Sequence, residues 1–290
     1  MQIYRRIILL DRNAVSIAKK GRLKNSELYS MQRDRQEEYN CLLKLDRPAN
    51  IISPIFSICE GESGYKESGF KVLETLKKET AAISDFFRKA KSDSNVLLNN
   101  SAQFTEIFSD PIELLWDSYK QFLSKVHSII CRAQPKKDRK HHESKIISLA
   151  RDYEINPCHP IVVCCLAALY GNNVAKRILK FNPNKSIYHK TKDRQIYNAL
   201  SDLLSISRTQ HIQALANKKR QSKKSINVTF FTLDKNLKEF AKYLDIQNTR
   251  ISKDGTNYIT FTWEYSIFSE LSKGEAEGLL HMLAETTEIK

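Results

Sequence analysis

The chain has 290 residues, 41% of them hydrophobic and 28% charged, with a formal net charge of +14 and a pI near 9.4. That length supports a core in one large domain or two small ones, and the balance excludes a disordered chain. No apolar run approaches the roughly 20 residues that cross a bilayer, and Arg5, Arg6, Asp11 and Arg12 crowd out the apolar stretch of a signal peptide, so a cytoplasmic protein with no membrane contact is expected.

The first segment reads as a strand over about 3–10, closed by Asp11-Arg12-Asn13, with a short helix from Ala14 that Asn13 could cap. "ANIISPIFSICEGESG" starts extended; Ser53 is a natural N-cap, Pro54 suits a first helical turn, and the helix would carry Glu60. Glu62 is its rival, on another side of that helix. From Phe70 to about Ala133 the apolar positions recur at three- and four-residue spacing, which predicts helices.

"HHESKIISLARDYEI" is another helix. "HPIVVCCLAALYG" is apolar all round and predicts a buried helix ending at Gly171, with a second starting near Asn173. "DRQIYNALSDLLSISRTQHIQALANKK" is a long amphipathic helix with Ile196, Ala199, Leu200, Leu203, Leu204 and Ile206 as its buried stripe. After the basic run "NKKRQSKKS", "INVTFF" is a strand ending in Thr232-Leu233-Asp234, and "KNLKEFAKYL" a helix. "NYITFTWEYS" predicts a last strand and "SKGEAEGLLHMLAET" a closing helix.

Strands separated by helices indicate an α/β protein: a Rossmann-like three-layer fold with a mostly parallel central sheet and a large helical insertion. Residues 1–69 and 158–290 would form the discontinuous core and 70–157 the insertion. The cysteines at 41, 59, 131, 158, 164 and 165 form no C-x-x-C pair and read as reduced core thiols. His141 and His142 are adjacent, which does not suit one metal on a helix face, so "KKDRKHH" reads as a solvated basic loop. No phosphate-loop or Gly-x-Ser-x-Gly motif is present.

In parallel sheets ligands bind at the carboxyl ends of the strands. Asp11 and Asp234 each end a strand, so neighbouring strands would put both carboxylates on one rim. Glu60 and Asp202 are further candidates, with Asn198 one turn before Asp202 on the same face. Gathered carboxylates repel unless a cation sits among them, and hard cations such as Mg²⁺ and Mn²⁺ prefer oxygen ligands. A metal held so activates water and neutralises charge on a phosphoryl group, while the excess positive charge suits a polyanion. Each acid also has a plainer role: Asp11 a turn residue, Asp202 a solvated helix acid, Asp234 an N-cap.

Four stretches in this order, "IILLDRNAVS", "IISPIFSICEG", "NALSDLLSIS" and "VTFFTLDKNLKEFA", resemble the PIN domain family of metal-dependent nucleases. The resemblance implies Mg²⁺ or Mn²⁺ held by Asp11, Glu60, Asp202 and Asp234, with Asn13, Asn198 and Thr232 in support. It implies hydrolysis of phosphodiesters, in RNA ahead of DNA, and a toxin-like or anti-phage effector checked or activated by a protein partner. Arg12, Lys218, Lys219, Arg220, Lys223 and Lys224 would contact the phosphates. The chain departs from the shorter toxin type in its central helical segment and in the long gap from Asp202 to Asp234. A binding protein without catalysis on the same fold, a single-strand or structure-specific DNA nuclease, and a helical scaffold are the alternatives.

Overall fold

Alternate residues of the first apolar run serve two cores. Strand β1, Arg6–Leu10, sends Ile8 and Leu10 into one cluster with Ala14, Val15, Tyr39, Ile52 and Phe86. Leu9, with Ile7 packed alongside, joins a second cluster with Phe56, Leu76, Leu97 and Val228. Side chains alternate sides along a strand, so a sheet with a core on each face needs helices on both. That is the three-layer arrangement.

The computed structural model describes residues 6–61, 69–102, 115–131, 134–180, 188–218, 226–251 and 257–285. It divides into unit 1, Met1–Asp110 with Thr209–Asp234, and unit 2, Pro111–Arg208 with Lys235–Lys290.

Unit 1 holds a four-stranded sheet in the order β3-β2-β1-β4, with β2 at Asn50–Ser53, β3 at Lys91–Ser92 and β4 at Asn227–Phe231. Every pairing is parallel: Ile7 lies opposite Ile51 and Val228, and Ile51 opposite Lys91. The helices that pack on it are α1 (Arg12–Ala18), α2 (Asn25–Tyr29), α3 (Arg33–Leu43), α4 (Ile55–Glu60), α5 (Phe70–Phe86) and α6 (Ser94–Asn99). The chain runs from β1 outward through β2 to β3, then returns to place β4 on the other side of β1. The strand order therefore reverses between β1 and β4.

The expected insertion, 70–157, falls partly in unit 1 and partly in unit 2. Its first part supplies α5, β3 and α6 to the sheet unit, because Lys91 and Ser92 pair with β2. Two residues without an apolar pattern give no strand signal, so this edge was not legible. Asp46 anchors it: its carboxylate accepts from the amides of Lys89 at 2.7 Å and Ala90 at 2.8 Å, and from the Arg22 guanidinium.

In unit 2, α7 is Trp116–Ile130, α8 Arg139–Asp152, α9 Pro160–Leu169 and α10 Asn173–Leu179. All of Pro160–Leu169 is buried, as its composition predicts. Helix α9 gives way at Gly171, whose φ of +87° suits glycine, and an added Cβ there would strike the Glu270 side chain. Helix α11, Tyr188–Lys218, carries the expected buried stripe from Ile196 to Ile206. It starts in unit 2 and ends in unit 1. Helix α12 (Lys235–Ala241), strands β5 (Leu244–Ile251) and β6 (Asn257–Trp263) and helix α13 (Lys273–Glu285) complete unit 2. Strand β6 is the predicted last strand, but it pairs antiparallel with β5 in a separate sheet. No disulfide joins any of the six cysteines. Among the described residues no helix is long and apolar enough to cross a membrane.

Candidate functional site

Asp11 ends β1 where the strand order reverses, its amide donating to Phe231 O at 3.0 Å. The residue is 8% exposed. Its Oδ1 accepts from the Ala14 amide at 2.7 Å, so Asp11 itself caps α1. Asn13, expected in that role, lies exposed within the helix, which begins at Arg12. Strand β1 ends at Leu10 as expected, but α1 begins at Arg12, two residues before Ala14, and the cap moves to the side chain placed to reach the free amides.

Asp11 Oδ2 accepts twice, from the Thr232 hydroxyl at 2.6 Å and from the Leu233 amide at 3.1 Å. The Asp234 amide donates to the Thr232 hydroxyl at 3.0 Å. The Thr-Leu-Asp segment thus wraps the carboxylate and sets Asp234 beside it. Burial pushes the Asp11 carboxyl above its usual value; bonds from Thr232, Ala14 and Leu233 pull it back, and the Asp234 carboxylate pushes it up again. Asp11, Thr232 and Asp234 are therefore brought together from the two ends of the sequence.

The other candidates stand differently. Glu60 is the last residue of α4 and half-exposed. At about 1.5 Å per residue it stands roughly 8 Å up the helix from the sheet rim. Ser53 Oγ accepts from the Ile55 amide at 3.4 Å, as a cap for α4 would. Asp202 belongs to unit 2, where its carboxylate lies 3.5 Å from Lys180 Nζ. Asn198 is half-buried on the same helix. Arg12 is half-buried and adds to the positive field at Glu79. Lys218 closes α11. Lys219, Arg220, Lys223, Lys224 and Glu62 lie outside the described residues.

Two acids of unit 1 with a sealed carboxyl oxygen escaped the sequence reading. Glu79 is 1% exposed and pairs with Lys19 at 3.1 Å between α5 and α1. Burial raises its carboxyl, with Ser57 and Lys19 opposing. A signal existed: Glu79 falls between Leu76 and Ile83, within the buried stripe of α5. Asp93 follows β3 at the outer end of the rim. Nothing in "KSDSN" marks it.

Among the described residues no group of three His, Cys, Asp or Glu side chains is placed to hold a metal ion. The expected set of four carboxylates is not assembled within unit 1, since Asp202 belongs to unit 2. Mg²⁺ can be held by one or two carboxylates with waters and substrate phosphates. An ionised carboxylate offers about four acceptor positions, and the protein donors on Asp11 are Ala14, Thr232 and Leu233. The Asp11–Asp234 pair fits that smaller kind of site.

No protein-family model, curated protein or solved structure matches the chain.

Proposed function

We propose that the chain is a PIN-like metal-dependent nuclease that hydrolyses phosphodiester bonds, in RNA ahead of DNA, with Asp11 and Asp234 at its reaction centre. The observation that carries the reading is their place at the carboxyl ends of β1 and β4, where the strand order reverses. Ligand sites of open α/β sheets lie at such points. A Mg²⁺ or Mn²⁺ ion held there would supply water activation and neutralise charge on the phosphoryl group. Thr232 fixes the Asp11 carboxylate and the Asp234 amide fixes Thr232. The basic run from Lys218 to Lys224 would hold backbone phosphates. Glu60 and Asp202 belong to the proposal as additional acids, to be tested by substitution. Cytoplasmic residence and a toxin-like or anti-phage role, governed by a protein partner, go with it.

The test is cleavage of labelled single-stranded RNA, DNA and tRNA with Mg²⁺ or Mn²⁺ against EDTA, for wild type, Asp11→Asn and Asp234→Asn. Metal-dependent cutting, lost in both variants while the protein stays folded, is the expected result. One observation favours a second reading, a nucleic-acid-binding protein without catalysis: the Asp11 carboxylate is already engaged by three protein donors, as a structural clamp would be. Salt-dependent binding without cutting, unchanged in Asp234→Asn, would support that reading and sink the first.

A further inference from the structure

Asp93 occupies the turn from β3 into α6, its amide donating to Ile52 O at 3.3 Å. The residue is half-buried, and its Oδ1 is sealed from solvent with no hydrogen-bond partner among the described residues. The Ser53 hydroxyl, at the end of β2, is the side-chain donor to the carboxyl. A sealed carboxylate oxygen without a donor is costly, and the neutral, protonated carboxyl costs less there.

The elements around this turn bring hydroxyls to it. Ser92 and Ser94 share a hydrogen bond, Ser94 donates to Thr80 O at 3.0 Å, and Ser84 donates to Ser94 Oγ at 3.3 Å. Helix α6 carries no charged residue. On α5, Glu79 turns to Lys19, and Lys77, Lys78 and Asp85 are exposed. On α4 the charged residue is Glu60, at the far end, and Lys91 of β3 is exposed. Burial pushes the Asp93 carboxyl up to about 7, opposed by Ser53 and its own amide.

We propose that Asp93 is a pH-sensitive latch on the sheet edge: its protonated carboxyl holds β3 and α6 closed against β2, and loss of the proton releases them. Strand β3 is suited to this, being two residues long and, among the described residues, paired with β2 at the sheet edge. In an opened edge the carboxyl meets water and titrates near the ordinary 3.8. The closed state therefore binds the extra proton between that value and about 7. Over this window opening is favoured by up to about tenfold per pH unit as pH rises, and it levels off above. The latch is independent of the nuclease reading.

Hydrogen-exchange protection factors of residues 91–99, corrected for intrinsic rates, test it between pH 5 and 9, with α3 as the control. Wild type should lose protection up to about tenfold per unit to about pH 7 and then plateau. Asp93→Asn should remove the dependence, and Ser53→Ala, which deletes a donor to the charged form, should extend the fall to higher pH. A flat wild-type profile, or the same fall in Asp93→Asn, overturns the latch. Should Asp93→Asn fail to fold, an unmoved plateau in Ser53→Ala overturns it.

Discussion

Thr232 donates its hydroxyl proton to Asp11 Oδ2 across 2.6 Å, joining residues 221 positions apart in sequence. The bond ties the end of β4 to the end of β1, and Asp11 passes the tie on to α1 through the Ala14 amide.

Thr232→Val keeps the shape and deletes the donor. It should cost about 2 kcal/mol at neutral pH, since a hydrogen bond to a charged group is lost in a buried place. The Asp11 carboxyl is raised in the folded state. Its favourable contribution is thus full below the ordinary 3.8 and lost as pH rises through the folded value. Removing Thr232 raises that value further, so the cost should shrink towards acid pH. Urea unfolding of wild type, Thr232→Val and Thr232→Ser from pH 4 to 7 checks this; Ser should retain most of the stability.

Lys19→Met leaves Glu79 buried without its cation. Lys19 keeps 29% of its side-chain exposure, so the loss should be about 2 kcal/mol, below that of a fully sealed pair. Glu79 is already raised by burial, and without Lys19 it rises further. The penalty is present at neutral pH and disappears below the unfolded value near 4.5, where the carboxyl is protonated in both states. Unfolding midpoints at pH 7 and pH 4.5 should show the variant's deficit at the first and little at the second. An equal deficit at both would mean that Lys19 acts through packing alone.

His159 gives unit 2 the opposite slope. Its Nδ1 accepts from the Ile161 amide at 3.3 Å, and its ring stacks on Tyr119 with centroids 5.0 Å apart. Burial lowers its pKa to about 3, so the folded state keeps it neutral. The unfolded state takes a proton below about 6.5, and stability should fall from there to about 3 by up to 1.4 kcal/mol per unit. Asn can cap the helix without titrating. The wild type minus His159→Asn difference, measured by chemical denaturation from pH 7 to 4, should carry that slope; a constant difference would rule it out.

What the sequence by itself determined is periodic. Ile7 to Leu10 and "INVTFF" read as strands because β-branched and aromatic residues cluster there between turn residues. Helix α11 read correctly because burial repeats along it at helical spacing, and α9 because an unbroken apolar run lies between Pro160 and Gly171. The alliance of Asp11 with Asp234 was legible for the same reason: each follows an apolar run that had to be a strand, and parallel neighbours share a rim. The tertiary structure decided what has no period. Strand β3 exists because Ile51 and Ile52 offer it a ladder and Asp46 gathers its incoming amides. Glu79 and Asp93 acquire their raised carboxyls from the elements that close over them. Asp11 takes the cap from Asn13 because α1 begins at Arg12, directly after Asp11. Such outcomes depend on which chain segments meet, and the free energy of meeting is not written in any one of them.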